Sequence, residues 1–185
     1  MAISLSARIF RYKPGDPAPR YQTFAVSVPE QANVIDVIEA AWRQDDTLLF
    51  RDACHHASCG TCAVRVNGYE TLPCIIPVTT ALHGRNELRI EPLRNFPLVG
   101  DLVVEVAGFF QKQIAAGMII TRSAAPTSDA PALNGKLLQP AELFDLQGQL
   151  SDRPYNRFEN CVECGICISA CPTMAASDKF FGPAG

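Results

Sequence analysis

Hydrophobic and polar residues near the start of the chain alternate in the manner of two strands, and a helical pattern follows them. Residues 3–12 alternate loosely and end at the turn-rich KPGDPAPR, and residues 21–28 resume with a period of two, which predicts a β-hairpin. Asn33 is a candidate N-cap, and apolar residues with helical spacing follow it: Val34, Val37, Ile38, Ala41 and Trp42. We expect this helix to pack across the sheet, with Trp42 in the core.

A second hairpin and a closing strand complete the first half of the chain. Residues 63–66 and 71–72 flank Asn67-Gly68, a dipeptide that favours a tight hairpin turn. Residues 86–91 predict a further strand. The resulting order of hairpin, helix, loop and further strands is that of a β-grasp domain.

The pattern changes from Gly100 onward. Apolar residues have helical spacing there: Leu102, Val103, Val106, Phe109, Phe110 and Ile114. Residues 123–131, SAAPTSDAP, are typical of a mobile connector, and residues 140–146 predict a short helix. We therefore expect an α+β chain in three parts, namely a β-grasp domain over 1–105, a connecting helix and Ala/Pro/Ser-rich linker over 106–139, and an α-helical domain over 140–185.

A group of cysteines lies between the predicted helix and the second hairpin. Its members have the spacing C-x4-C-x2-C-x11-C, which matches the plant-type ferredoxin pattern for a 2Fe-2S cluster: Cys54, Cys59, Cys62 and Cys74. Three thiolates on one tight loop can converge on a small cluster while the fourth arrives from a neighbouring strand end. Each iron then receives two sulfurs.

A second run of cysteines lies near the end of the sequence. It has the spacing C-x2-C-x2-C-x3-C of bacterial ferredoxins and is followed by Pro172: Cys161, Cys164, Cys167 and Cys171. In that pattern the first three thiolates hold one cubane and the fourth reaches a different cluster. All eight cysteines therefore belong to two candidate iron-sulfur motifs. We expect the second run to lie on short helical turns, with Ile166 and Ile168 as apolar neighbours.

Disulfides and zinc are the alternative uses of these cysteines. Cysteine makes up about 4% of the chain, below the roughly 8–10% of small disulfide scaffolds, and the N-terminus lacks the basic segment and apolar core of a secretory signal. Cys59-x2-Cys62 and Cys161-x2-Cys164 each resemble half of a zinc knuckle. A zinc site would not need the x4 spacing before Cys59 or the two further cysteines of the second run.

Histidines accompany the first motif. His55 and His56 follow Cys54 directly, and in a Rieske centre two histidines replace two cysteines. Because all four cysteines of the first motif are present, we interpret the two histidines as loop residues whose ring or backbone N–H groups lie near cluster sulfur. His83, in the HGRN turn, is interpreted as a solvated loop histidine.

Composition excludes several classes of function. Hydrophobic residues make up 48% of the chain and the formal net charge is −3, which describes an ordinary soluble core with no basic face for nucleic acid. The longest apolar stretch, residues 98–118, is interrupted by polar and charged residues: Asp101, Glu105, Gln111, Lys112 and Gln113. It falls short of the roughly 18–20 apolar residues that span a bilayer, so we expect any membrane association to come through a partner.

With both motifs identified, the chain closely resembles the iron-sulfur subunit of succinate dehydrogenase and fumarate reductase. The resemblance rests on the plant-type motif followed by LRNFPLVGDLVVEVAGFF, YNRFENCVECGICISACP and DKFFGPAG, and it extends over nearly the whole sequence. It implies a plant-type ferredoxin-like β-grasp domain followed by a helical domain like that of bacterial ferredoxins.

The resemblance also implies cofactors and their ligands. Cys54, Cys59, Cys62 and Cys74 would hold a 2Fe-2S cluster, Cys161, Cys164 and Cys167 would supply three of the four ligands of a 4Fe-4S cluster, and Cys171 would serve a 3Fe-4S cluster. No residue of this chain would be catalytic. Electrons would pass between a flavoprotein subunit, where FAD and the dicarboxylate react, and quinone near a membrane anchor.

Two features depart from the family pattern. The family has a later cysteine-rich run that completes the 4Fe-4S and 3Fe-4S clusters, whereas this sequence stops at Gly185, 14 residues after Cys171. The resemblance therefore implies that the α-helical domain over 140–185 is partial and truncated, with the last two clusters incomplete. Tryptophans often follow the cysteine-proline pair near the quinone in the family, but here Met174, Ala175 and Ala176 stand instead.

Three functions remain open at this point. The first is the electron-transfer subunit of a succinate or fumarate oxidoreductase, with a flavoprotein, a membrane anchor and quinone as partners, at the cytoplasmic face of the inner membrane and held there peripherally. The second is the iron-sulfur subunit of another flavoprotein oxidoreductase, since fold and clusters do not identify a substrate. The third is a free-standing ferredoxin carrier. The apolar segment LRNFPLVGDLVVEV is expected to be exposed and favours a permanent partner interface over the third.

Overall fold

The computed structural model describes residues 2–115, 161–177, 179–180 and 182–183. The predicted connector at 123–131 and the predicted short helix at 140–146 lie outside these described residues.

One five-stranded mixed sheet forms the body of the N-terminal part. Its strands are β1 (Ala2–Arg11), β2 (Arg20–Pro29), β3 (Val64–Val66), β4 (Tyr69–Thr71) and β5 (Glu87–Glu91), in the spatial order β2-β1-β5-β3-β4. The outer pairs are antiparallel, and β1 and β5 run parallel at the centre, where Ala7 pairs with Leu88. Inward-facing residues of these strands, such as Ile9 and Ile90, are fully buried because alternate side chains point to the helix-covered face. The predicted first hairpin and the α+β class are confirmed.

Helix α1 (Val34–Trp42) covers the sheet, as the apolar spacing predicted. Its inward residues are buried: Val34, Ile35, Val37, Ile38 and Ala41. At its first turn the Asp36 carboxylate accepts a hydrogen bond from the backbone N–H of Asn33 at 2.7 Å, which satisfies one of the amide groups that a helix start leaves without a partner. A short helix that was not predicted, α2 (Val78–Leu82), packs beside α1 and ends at His83, an exposed residue with left-handed backbone.

The prediction that Trp42 lies in the core is wrong. Trp42 is 42% exposed and contacts Phe50 edge-to-face, with ring centroids 6.5 Å apart. It is the last residue of α1, and the chain turns away directly after it through hydrogen bonds from Gln44 and Asp45 to the carbonyl of Ala41. Helical spacing places Trp42 on the apolar face of α1, but at the end of the helix its side chain is only partly covered.

The apolar segment after the sheet differs from its prediction in two respects. Helical spacing from Leu102 predicted helix, whereas the chain forms a small antiparallel pair, β6 (Leu98–Gly100) with β7 (Val103–Val104), and α3 begins only at Ala107 and runs to Ala115. Short apolar runs fit both periods, and here strand pairing decides. The segment is also less exposed than expected, because Leu93, Leu102 and Val104 are buried within the chain while Val99 is 40% exposed.

A buried ion pair fastens this segment to the sheet. Asp101 is fully buried, and its carboxylate accepts hydrogen bonds from Arg11 Nε at 3.1 Å, from the backbone N–H of Tyr12 at 2.8 Å and from that of Leu49 at 2.8 Å. Arg11 also contacts Asp45 at 2.9 Å. Burial opposes the charge of Arg11, but these carboxylates hold its pKa above the usual value. A pair this completely hydrogen-bonded can be accommodated in a core.

The second cysteine run lies on two short helices, α4 (Ile166–Ala170) and α5 (Pro172–Ala176), as expected. Ile168 is buried, and Ile166 packs against a small apolar cluster that includes Leu93 and Phe96. Across the described ranges, 2–115 and the pieces between 161 and 183, none of the helices has the length and apolar character that crossing a membrane would need.

Candidate iron-sulfur sites

The first cysteine loop is shaped by residues with left-handed backbone. His55 has φ of 59° and Ala57 has φ of 61°, and the amide that follows each of them is turned toward the sulfur of Cys54. The N–H groups of His56 and Ser58 donate to Cys54 Sγ at 3.5 Å and 3.3 Å. The interpretation that backbone N–H groups beside the histidines lie near sulfur is therefore supported for His56.

These amide groups favour negative charge on Cys54. The hydrogen bond from the His56 amide is the main reason that the pKa of Cys54 falls to about 6, and contacts with Cys59 and Ser58 add to it. A thiolate is the form of cysteine that binds metal, so the loop favours the metal-binding form of this side chain. The Cys54 side chain has that of Cys59 as a hydrogen-bonding neighbour.

The other two sulfurs of this motif form a second, more buried pair. Cys62 and Cys74 are 5% and 2% exposed. Burial first, and then the side-chain hydrogen bond with Cys74, raises the pKa of Cys62 to about 12. A buried thiol with so high a pKa loses its proton only when a strong cation binds it, as metal ligands do.

Helix α1 holds Cys74 in place. The Asn33 carboxamide donates to the carbonyl of Cys74 at 2.9 Å, and the amide of Ile35 donates to the carbonyl of Pro73 at 3.0 Å. The amide of Val34 bonds the carbonyl of Ile76 at 2.9 Å. The first turn of the helix thus uses amide groups that have no partner within the helix to fix the segment carrying the fourth cysteine.

A single zinc ion bound by the four cysteines would set the distances between their sulfurs. Four thiolates around one zinc, with Zn–S of about 2.3 Å, lie about 3.8 Å from one another. In the described part of the chain, the potential ligand atoms of Glu39, Asp52 and His55 lie within 4.8 Å of one another. Cys54 lies beside Cys59 and Cys62 lies beside Cys74, and the charge of Cys59 also acts on Cys62, so the four side chains form one group.

In the second run the first three cysteines are neighbours. The pKa of Cys167 is raised by desolvation of its thiol and then by the nearby Cys164 and Cys161. Cys161 and Cys167 are exposed, and Cys164 is half-buried. Cys171 is half-buried and lies in extended backbone between α4 and α5, with φ of −80° and ψ of 119°.

The two cysteine loops touch at Gly60. A Cβ atom added to Gly60 would lie 2.6 Å from the carbonyl oxygen of Val162 and 2.8 Å from the Cβ of Cys164. Gly60 also has φ of 67°, in the left-handed region that favours glycine. A cavity lined by Cys59, Cys62 and Cys164 opens at this junction. The absence of a side chain therefore allows the loops to approach.

Sequence reasoning named all eight cysteines but missed the residues that arrange them. Gly60 lies between Cys59 and Cys62 in the first motif, and its contact with the second run depends on tertiary structure. Asn33 was predicted as an N-cap, but its contact with Cys74 depends on tertiary structure. His83 is exposed, and its left-handed backbone ends α2, in keeping with a solvated loop residue.

Comparison with protein families gives two matches. Residues 6–111 match the model of the 2Fe-2S iron-sulfur cluster binding domain. Residues 154–177 match the model of the 4Fe-4S binding domain. The two matches contain the first and the second cysteine motif respectively, so both types of cluster are supported.

Several characterised proteins are similar over nearly the whole chain. The fumarate reductase iron-sulfur subunit of Haemophilus influenzae is 31% identical over 182 residues, which cover 97% of this chain and 69% of that protein. The fumarate reductase iron-sulfur subunit of Mycobacterium tuberculosis is 32% identical over 179 residues, covering 95% of this chain and 66% of the relative. The chain thus spans about two thirds of the length of these relatives.

A solved structure supports the fold. A chain of the Sdh1 complex of Mycobacterium smegmatis in the apo form superposes with a TM-score of 0.71 at 24% identity, covering all of this chain and 72% of the other. At that level of identity the match establishes the architecture of a β-grasp domain followed by a helical one.

Proposed function

Because the chain belongs to the family of fumarate reductase iron-sulfur subunits, we propose that it relays electrons between an FAD-containing flavoprotein subunit and the quinone side of a succinate dehydrogenase or fumarate reductase. It is an electron-transfer subunit with 2Fe-2S and 4Fe-4S clusters as cofactors, and it contributes to the oxidoreductase without binding the dicarboxylate itself.

The observation that carries this proposal is the arrangement of the first four sulfurs in two pairs. Cys54 lies beside Cys59, and Cys62 lies beside Cys74. We assign these four as ligands of the 2Fe-2S cluster, one pair to each iron. A bound iron-sulfur cluster supplies one-electron redox chemistry. The chain supplies the thiolates, the amide groups directed at Cys54 Sγ and the burial of Cys62 and Cys74, all of which tune such a site.

We assign the second run in the same way. Three ligands of the 4Fe-4S cluster would come from Cys161, Cys164 and Cys167. The electrostatic effect of Cys164 and Cys161 on the Cys167 thiol supports this. Cys171 follows α4 in extended backbone and would serve a 3Fe-4S cluster. Direct contact between Gly60 and the Cys164 loop would bring the two sites next to each other, as a relay requires.

Partners, location and domain limits are part of the same proposal. The flavoprotein would bind this chain permanently, and a membrane-anchor subunit would hold it peripherally at the cytoplasmic face of the inner membrane, near quinone. We propose a 2Fe-2S domain over residues 1–105, a connector over 106–139 and a second cluster-binding domain over 140–185.

The test is the addition of succinate, without oxygen, to the chain purified together with its flavoprotein. We expect the electron paramagnetic resonance signal of a reduced 2Fe-2S cluster to appear, and we expect it to be weakened or shifted when Cys59→Ser is present. A signal that dithionite elicits but succinate and reduced quinone analogues do not would indicate another flavoprotein reaction. Purification as a monomer with no flavoprotein would indicate a free-standing carrier.

A further inference from the structure

Helix α4 carries Cys167 and leads into Cys171, yet it has only five residues. A helix this short leaves carbonyl groups at its end without partners in the helix. The amide of Cys171 donates to the carbonyl of Ile168 at 3.2 Å, and the side-chain amide of Asn95, far away in sequence, reaches the same group of carbonyl oxygens. Asn95 Nδ2 lies 2.8 Å from the carbonyl oxygen of Ile168, 3.3 Å from that of Ser169 and 3.1 Å from that of Cys171.

The backbone of Asn95 suits this contact. Its φ is 63°, in the left-handed region, where asparagine is enriched among residues with a side chain. The short side chain then reaches the end of α4 directly. Asparagine thus combines a backbone shape that most residues avoid with two N–H donors at the position where the carbonyl groups converge.

The two neighbours of Asn95 contact the same helix. The backbone N–H of Arg94 donates to Ser169 Oγ at 2.8 Å, and that hydroxyl lies 3.0 Å from Glu70 Oε1 of β4. On the other side, the ring of Phe96 lies against Gly165, where an added Cβ would come within 2.8 Å of it. Residues 94–96 therefore hold α4 at both of its ends.

We propose that Asn95 is a positioning residue for the second cluster site. Through the carbonyl groups of Ile168 and Cys171 it sets the direction of the backbone between Cys167 and Cys171, and so the orientation of the second run on the β-grasp domain. The proposal depends on the proposed function only for what the cysteines hold. The contacts that define the position belong to the protein alone.

The test compares variants of the full chain in its complex. Asn95→Gly keeps the left-handed backbone without strain and removes only the carboxamide. Asn95→Asp keeps the shape but directs oxygen at the carbonyl groups instead of N–H donors. The matched control is Asn67→Gly, because Asn67 also has left-handed backbone, with φ of 52°, and its amide also bonds a distant carbonyl, that of Ala81, at 2.9 Å.

We expect hydrogen exchange of residues 166–171 to rise roughly three- to tenfold in Asn95→Gly, as for the loss of a net hydrogen bond, and to rise further in Asn95→Asp. We also expect the reduction potential and resonance line shape of the second-site cluster to change while the 2Fe-2S signal stays as in the unaltered chain. Asn67→Gly should change neither property of the second site. If Asn95→Gly fails to fold, the same comparison is made with Asn95→Asp.

Exchange and second-site spectra that match those of Asn67→Gly would overturn the proposal. Faster hydrogen exchange with an unaltered reduction potential and line shape of the second-site cluster would also overturn the proposal. Asn95 would then be only a structural contact. If the unaltered complex held no iron, the proposed function would fail. In that case faster hydrogen exchange in the Asn95 variants, by itself, would not support a positioning role for Asn95.

Discussion

At the scale of the residue, Gly60 shows how a missing side chain permits a tertiary contact. Its neighbours across the junction belong to the second cysteine run. Gly84 has a similar backbone, with φ of 76°, but a Cβ added there would meet nothing within 4 Å. The chain therefore contains its own control for separating the strain of a left-handed residue from the cost of a clash.

We expect Gly60→Ala to force the two cysteine loops apart, because its Cβ would lie 2.6 Å from the Val162 oxygen. Gly84→Ala should carry only the left-handed backbone cost of about 1–2 kcal/mol. The measurement is the magnetic interaction between the reduced first- and second-site clusters, by electron paramagnetic resonance. It should weaken in Gly60→Ala alone. Equal behaviour of the two variants would mean that the loops do not meet at Gly60.

Asp101 attaches the β6–β7 pair to the five-stranded sheet through its hydrogen bonds to Arg11 and Tyr12. Asp101→Ala would leave Arg11 buried without one of its carboxylates and two amide groups without their acceptor. We expect a loss of about 3–5 kcal/mol in the free energy of unfolding, measured by urea denaturation followed by circular dichroism.

The control for Asp101→Ala is Arg43→Ala. Arg43 forms an exposed ion pair with Glu39 at 3.1 Å on the surface of α1, and we expect its removal to cost less than about 1 kcal/mol. Similar losses of unfolding free energy in the two variants would show that the buried ion pair does not stabilise the chain more than an exposed one.

At the scale of the element, periodic patterns predicted what local sequence controls. The first hairpin and α1 follow from alternation and from helical spacing, and each was found where expected. An element decided by pairing between strands was not predictable: Leu98 pairs with Val104, so residues 103–104 form a strand although Leu102 begins a helical spacing. The exposure of Trp42 likewise depends on its position at the end of α1, where the chain turns away.

Helix α1 offers a test of that difference. We expect Ile38→Ala to lower the free energy of unfolding by about 2–5 kcal/mol, because Ile38 is 1% exposed and its removal leaves a cavity. Trp42→Ala should cost less than the roughly 3–5 kcal/mol of a buried aromatic residue, since two fifths of its surface is already in water. Urea denaturation monitored by circular dichroism gives both values. A larger loss for Trp42→Ala than for Ile38→Ala would restore the core assignment.

At the scale of the whole molecule, the cysteine motifs were readable from the sequence because metal ligation constrains spacing within one loop or helical turn. What the sequence could not reveal is how the two motifs face each other, because that depends on contacts between residues far apart. Gly60 meets Cys164, and Asn95 holds the carbonyl groups beside Cys171. The identity of the cofactors was thus accessible from pattern, whereas their relative placement required the fold.

The most direct measurement is the iron and acid-labile sulfide content of the first site in the full chain, prepared without oxygen. Serine replacements remove the second run from the count: Cys161→Ser, Cys164→Ser, Cys167→Ser and Cys171→Ser. We expect about two iron and two sulfide per chain, with a rhombic resonance signal after reduction, because the remaining sulfurs form two pairs. About one zinc per chain, with no sulfide and no visible absorption, would contradict the assignment of Cys54, Cys59, Cys62 and Cys74 to a 2Fe-2S cluster.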